Sequence, residues 1–141
     1  MKDVPKIELT KKERDCLLAA YREEESEGVP PRLVDLARAL GVRPPTALEL
    51  VRRLESKGLV ERRRGLISLS ERGREVAKGV ISVHRAVESL LFNCGLGADD
   101  ACRTASMFDF VLDPSLVPRL LELLGNPSTC PHGHPIMEVG R

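Results

Sequence analysis

Residues 41–69 read GVRPPTALELVRRLESKGLVERRRGLISL. Gly41-Val42-Arg43 forms a tight connection out of a preceding helical pattern. Pro44 and Pro45 suit the first turn of a helix, where a missing backbone N–H leaves no bond unmade. Ala47, Val51 and Leu54 then fall on one helical face, and Gly58 supplies the C-terminal stop. Two short β-capable runs, 59–62 and 66–69, flank the basic turn Arg63-Arg64-Gly65, which is the pattern of a hairpin.

The upstream sequence completes a motif. Thr10-Lys11-Lys12-Glu13 matches the capping box, in which hydroxyl and carboxylate satisfy reciprocal backbone donors. The helix it opens is expected to run to about residue 25, burying Leu17, Leu18 and Tyr21. Ser26-Glu27-Gly28-Val29-Pro30 breaks it. A second helix, from Pro31 or Arg32 through Leu40, places Leu33, Leu36, Ala37 and Leu40 at helical spacing. Helix, helix, short turn, helix and basic hairpin make a winged helix-turn-helix, whose third helix enters the DNA major groove. On that helix Arg43, Pro45, Thr46, Leu48, Glu49 and Arg52 or Arg53 are expected to face outward. Thr46, near the helix N-terminus, suits a phosphate. Arg43 and Arg53 suit phosphates or guanine edges. Leu48 suits a thymine methyl, and Glu49 a cytosine amino group or the orientation of an arginine. Arg62, Arg63 and Arg64 of the wing suit phosphates or the minor groove.

Downstream, Ser70 is expected to cap a long helix over 71–92, ended by Asn93-Cys94-Gly95. A further helix is expected over 98–111, and another, capped by Asp113 and opened by Pro114, to 124. The tail from Gly125 is rich in Pro, Gly and His and is expected to be irregular. The fold class is therefore mainly α.

Composition agrees. The 141 residues are 42% hydrophobic and 30% charged but only 3% aromatic, so Leu, Val, Ile and Ala must build the core. The net charge of +1 conceals a division: 12 basic against 6 acidic residues over 32–78, and 4 against 7 over 79–141. A basic segment of this kind is what a phosphate-binding surface needs. No apolar run approaches the ~18 residues of a membrane span. The N-terminus has no apolar leader segment. Cys16, Cys94, Cys102 and Cys130 form no C-x-x-C pair and are expected to be reduced thiols in the cytoplasm. No phosphate-loop, dinucleotide, zinc-protease or nucleophile-elbow motif offers an enzyme reading.

Leu69-Ser70-Glu71-Arg72-Gly73 looks like an L-T-x-x-G entry into a linker helix. His84-Arg85-Ala86-Val87-Glu88 looks like an H-R-x-x-E segment, and Cys130-Pro131-His132-Gly133-His134-Pro135-Ile136 like C-P-H-G-x-P-I. With these, nearly the whole chain resembles the metal-dependent repressors of the diphtheria toxin repressor and manganese transport regulator family, in their short two-domain form. The resemblance implies a winged-helix DNA-binding domain over 1–70 and an all-helical dimerisation and effector domain over 71–141. It also implies a homodimer reading a pseudo-palindromic DNA operator.

In that family metal ligands come from the first helix, the linker helix and the helix after it. By resemblance Asp15 and His84 take two of these positions, with Glu88 four residues beyond His84 on the same helical face. The later positions fall on Ser106, Asp109 and Phe110, and a second first-helix position on Leu18; Phe110 and Leu18 offer no ligand. One reading is a reduced site of Asp15, His84, Glu88 and Asp109 for a divalent Mn, Fe or Zn ion. Shifting the register to use Cys102 restores a thiolate but breaks the spacing to the tail. Another reading uses Cys130, His132 and His134, a C-x-H-x-H run suited to Zn or Fe(II). His84 also lies on the apolar stripe Ala77, Val80, Ile81, Val87, Leu91, where it can be a core histidine bonded to Glu88. Cys16, Cys94 and Cys102 read as small buried hydrophobes.

The resulting expectation is a cytoplasmic, non-enzymatic, homodimeric repressor that binds operator DNA, responds to metal and has no membrane partner. Two alternatives stand beside it: a winged-helix protein–protein interaction subunit, and a regulator that no longer senses metal.

Overall fold

The computed structural model describes residues 7–136; the ends of the two expected segments, 1–6 and 137–141, lie outside the described residues. The chain divides into two compact units after Ala77.

In the first unit α1 (Lys11–Glu27), α2 (Leu33–Leu40) and α3 (Pro44–Ser56) precede an antiparallel hairpin of β1 (Val60–Arg63) and β2 (Leu66–Leu69). Their apolar faces share a core of Cys16, Leu17, Leu18, Leu36, Val51, Leu54, Leu59 and Ile67. The capping box forms as expected: Glu13 N–H donates to Thr10 Oγ1 at 3.1 Å, and Thr10 N–H to Glu13 Oε1 at 3.0 Å. Lys57, just past α3, also donates to Glu13 Oε1 at 2.9 Å and to the Glu8 carbonyl at 2.6 Å. One buried carboxylate thus ties the start of α1 to the end of α3. Burial alone raises the Glu13 carboxyl, but the Lys57 and Thr10 donors outweigh it and hold the group below its ordinary range.

The hairpin register pairs Val60 with Leu69 and Arg63 with Leu66. Arg64 and Gly65 both have positive φ, at 52° and 77°. That is the signature of a two-residue type I′ turn, whose twist matches the strands. Ile67 N–H donates to the Pro31 carbonyl at 2.8 Å, so the wing also pairs with the segment before α2.

The Leu69-to-Gly73 motif has a packing cause. Ser70 N–H donates to the Leu59 carbonyl at 2.9 Å, and its hydroxyl donates to the Gly58 carbonyl at 2.6 Å. A Cβ on Gly73 would stand 1.9 Å from the Leu59 carbonyl oxygen. Only glycine lets α4 (Glu71–Asn93) start this close to the wing.

In the second unit the rest of α4, α5 (Ala98–Ser106) and α6 (Val117–Leu123) enclose Val83, Ala86, Val87, Ala105 and Val117. The helix expected over 98–111 is broken. Phe108, at φ −145°, leaves the helical region, and Asp109–Val111 form a separate 3₁₀ turn. The break lets Asp109 turn inward to full burial. The helix expected from Pro114 begins instead as a 3₁₀ turn, Pro114–Leu116, which Asp113 caps by accepting from Ser115 N–H at 2.9 Å. The tail, expected to be irregular, closes into a hydrogen-bonded loop. Cys130 N–H donates to the His134 carbonyl at 2.8 Å, and Ile136 N–H to the Ser128 carbonyl at 2.9 Å. Gly133, at φ +83°, makes its turn. Among the described residues no helix is long and apolar enough to cross a membrane.

Gly73→Ala is expected to lower stability by about 1–3 kcal/mol in denaturant unfolding, because the overlap falls on backbone that cannot rotate away. That loss exceeds the ~1 kcal/mol that alanine gains over glycine within a helix. Glu13 contributes stability that is complete above its ordinary value of 4.5 and is lost as pH falls through its lower folded-state value. Acid unfolding of Glu13→Gln is therefore expected to depend less steeply on pH below that point than in the unsubstituted protein.

Candidate metal centre and nucleic-acid interface

Glu88 lies one helical turn after His84 on the inner face of α4, and its side chain is 2% exposed. A carboxylate buried this far needs charged or hydrogen-bonding partners. His84 Nε2 stands 3.3 Å from Glu88 Oε2 and 3.4 Å from Cys102 Sγ on α5. His84 Nδ1 stands 2.9 Å from Asp109 Oδ2. His84 thus has a carboxylate beside each ring nitrogen, with the Cys102 sulfur beside Nε2. An imidazole nitrogen, a carboxylate oxygen and a sulfur converge, and the three ligand atoms lie within 4.8 Å of one another. Imidazole, carboxylate and thiolate together suit a borderline divalent transition ion. A carboxylate on the other ring nitrogen, as Asp109 is on His84, is an arrangement that suits a histidine able to hold a metal.

The same carboxylate meets the tail loop. Glu88 Oε1 is 3.3 Å from His132 Nδ1, and His132 Nε2 is 3.1 Å from Asp99 Oδ1. Cys130 is buried beside them, and Glu88, Cys130 and His132 form a second group of converging ligand atoms. Burial alone raises the Glu88 carboxyl, but Cys130, His132, Cys102 and His84 together hold it below its ordinary range. Burial and then the Glu88 carboxylate push the Cys130 thiol up. Asp99 and then Glu88 raise His132. Arg85 donates to the Pro135 carbonyl at 2.6 Å and anchors the loop on α4. The H-R-x-x-E and C-P-H-G motifs thus meet in space.

Of the residues selected by sequence, His84 and Glu88 come together. Asp109, expected among the ligands, has its Oδ2 at 2.9 Å from His84 Nδ1. Asp15 belongs to the first unit, where Lys11 and Arg14 hold its Oδ1 at 2.6 and 2.9 Å. Ser106 donates to the Arg103 carbonyl at 2.7 Å, and Leu18 is core. His134 is not among the converging atoms; its ring stacks on His132 with centroids 6.5 Å apart. Cys102, read as a buried hydrophobe, is half-buried and faces His84, and Cys94 is exposed. The signal for Cys102 was its helical register beside Ala101 and Ala105, which places it on the inward side of α5.

In the first unit, Arg43, Pro45, Thr46, Glu49, Arg52 and Arg53 lie on the exposed side of α3, and Leu48 is half-buried. Glu49 accepts from Arg53 at 2.6 Å. Arg62 turns back to α3 and donates to both oxygens of Glu55, at 3.1 and 3.0 Å. Arg63 and Arg64 remain exposed at the tip of the wing.

Two family models match the chain: the iron-dependent repressor N-terminal DNA-binding domain over residues 8–66, and the iron-dependent repressor metal-binding and dimerisation domain over residues 70–138. The chain is 34% identical over 117 residues to the iron-dependent repressor IdeR of Mycobacterium tuberculosis, covering 79% of this chain and 50% of IdeR. It is 36% identical over 129 residues to the diphtheria toxin repressor of Corynebacterium jeikeium, covering 86% and 52%. It therefore spans about half the length of these curated relatives. Among solved structures, a hypothetical protein of Sulfolobus solfataricus matches with a TM-score of 0.76 at 32% identity, over 92% of this chain and all of that one. The manganese regulator SloR matches with a TM-score of 0.79 at 26% identity, over 94% of this chain and 62% of its own. The chain belongs to the iron-dependent repressor family, with an N-terminal DNA-binding domain followed by a metal-binding and dimerisation domain.

Proposed function

We propose that this protein is a cytoplasmic, homodimeric transcriptional repressor whose operator binding is controlled by a divalent metal held by His84, Glu88 and Cys102. The observation that carries this reading is the convergence of His84 Nε2, Glu88 and Cys102 Sγ, with Asp109 on His84 Nδ1. The relatives named for iron and manganese regulation support it.

A bound divalent ion supplies positive charge that neutralises Glu88 and the Cys102 thiolate at one point. His84 offers Nε2, and Asp109 keeps the proton on Nδ1 and the ring in place. Cys102 would serve as a thiolate, since a coordinating thiol is deprotonated. These residues come from α4 and α5, so an ion held by them would tie the two helices together and favour one arrangement of the second unit. An effector shifts a regulator only by its differential affinity for the two states. Residues 71–141 supply dimerisation in this reading. The exposed Phe92, Met107, Val111, Leu116 and Leu123 are apolar surface available to it.

Toward DNA, α3 presents Arg43, Pro45, Thr46, Leu48 and Glu49 to base edges and phosphates, and the wing presents Arg63 and Arg64. Arg53 and Arg62 join them by exchanging Glu49 and Glu55 for phosphate. Exposed ion pairs are weak because water screens them, so that exchange is inexpensive. No step of this function is catalytic.

Duplex-DNA affinity, followed by fluorescence anisotropy, is expected to rise on adding Mn(II) or Fe(II) to the unsubstituted protein and to stay flat in His84→Ala. Asp109→Asn is expected to weaken metal binding at this centre by roughly 10- to 100-fold. Metal-independent DNA affinity, or unaltered metal affinity in both variants, contradicts the reading. Arg63→Ala is expected to weaken binding to all duplex sequences alike and to flatten the salt dependence by about one unit of slope. A loss confined to particular sequences would instead mean that the wing reads bases.

A further inference from the structure

We infer that the pair of Glu55 and Arg62 is an autoinhibitory contact: Glu55 occupies Arg62 in the free protein and competes with DNA phosphate for it, which lowers the affinity for duplex of any sequence. The inference rests on the operator-binding reading and gives a role to a carboxylate that the reading only displaces.

Three arginines on the exposed surface of α3 and the wing face a glutamate, and the three pairs differ. Glu49 and Arg53 stand one helical turn apart on α3, at 2.6 Å. That spacing, with the glutamate nearer the N-terminus, stabilises a helix by itself. Glu61 and Arg63 are near neighbours on β1 with a single contact of 3.7 Å, and Arg63 is 81% exposed. Arg63 is therefore loosely held and open to phosphate. Glu55 and Arg62 belong to different elements, the end of α3 and the first strand of the wing. Arg62 Nε and Nη2 donate to Glu55 Oε2 and Oε1 at 3.1 and 3.0 Å, the two-point fork that a guanidinium makes best.

Local stability does not account for Glu55. It lies in the last turn of α3, where the helix dipole presents its negative end and disfavours a carboxylate. It is not a core group either, since its side chain is 37% exposed and that of Arg62 40%. The Arg62 hydrogen bond outweighs the desolvation of Glu55 and, with weaker help from Arg52, holds its carboxyl below the ordinary range. Glu55 is thus ionised at neutral pH, on a surface where negative charge also repels phosphate.

The competition is local. Arbitrary duplex is held by phosphate contacts alone, and each is an exposed ion pair of the same kind as the one it must displace. Glu55 is fixed on the same chain, so the fold and not the solution sets its concentration at Arg62. It also engages the guanidinium at two points. Arbitrary duplex therefore gains little by taking Arg62. Operator DNA bears the same exchange and offsets it with base contacts that arbitrary duplex lacks.

The test is fluorescence anisotropy of the metal-loaded full chain on a random-sequence duplex across a salt series. Glu55→Gln is expected to bind roughly 3- to 10-fold more tightly at low salt and to steepen the salt dependence by about one unit of slope. Adding Arg62→Gln to Glu55→Gln is expected to remove the extra slope. Glu25→Gln removes the same charge from an exposed position on α1 and is expected to change neither quantity. Glu55 and Arg62 are each more than a third exposed, so these substitutions leave the core untouched, and matching Tm values check that. Unchanged affinity and slope in Glu55→Gln, while Arg63→Ala still flattens the slope, overturn this inference and leave DNA binding standing. Weaker binding by Glu55→Gln overturns it too, because Glu55 then braces the wing for DNA. An equal gain in Glu25→Gln reduces the effect to net charge and overturns it as well. Absence of salt-dependent duplex binding in the unsubstituted protein and in every variant overturns the operator-binding reading together with it.

Discussion

The burial of Glu88 is the constraint around which the second unit is organised. An isolated carboxylate in an apolar core costs far more than the burial of its methylenes returns, so it persists only where charges and donors surround it. α4 brings His84, α5 brings Cys102, and the tail loop brings Cys130 and His132. The demand reaches further, because His84 in turn needs Asp109. Asp109 arrives only because the helix that begins at Ala98 stops at Ser106 and a 3₁₀ turn directs the carboxylate inward. Secondary structure yields here to the satisfaction of a buried charge.

The first unit settles its buried polar groups by a different route. Glu13 is enclosed, and one carboxylate satisfies the Thr10 N–H and the Lys57 ammonium at once. Gly73 brings the start of α4 against the Leu59 carbonyl, where Ser70 also bonds. These contacts fix the ends of elements and leave one face of α3 and the wing tip exposed with their charges. On that surface Arg53, Arg62 and Arg63 pair with Glu49, Glu55 and Glu61, in pairs that stand in solvent. Such pairs hold side chains near a working position without binding them strongly. A rigid, well-satisfied interior and a lightly paired basic surface are together what a phosphate-binding module requires.

Much of this was legible along the chain because it depends on local rules. The capping box at Thr10, the proline pair at the start of α3 and the glycines at helix ends act within a few residues. The wing was legible from two β-capable runs about a basic turn, although its Arg64 in the left-handed region was not. The break at Met107 was not legible, since Ala98 through Val111 carry no proline or glycine to announce it. The site was legible in part. His84 and Glu88 are neighbours on one helix, so their spacing alone places them together. Cys102, Cys130 and His132 are separated from them by turns and loops whose path local spacing does not encode.

The sequence by itself determined the winged-helix order, the division of charge between the two halves and the His84–Glu88 pair. Each of these is set by short-range periodicity, capping or composition. Only the tertiary structure decided that Asp109 stands beside His84 Nδ1, that Cys102 faces the imidazole, and that the tail cysteine and histidine lie beside Glu88. The reason is physical. A buried charge collects its partners by proximity in space, and which residues are near is settled only when helices pack and loops close.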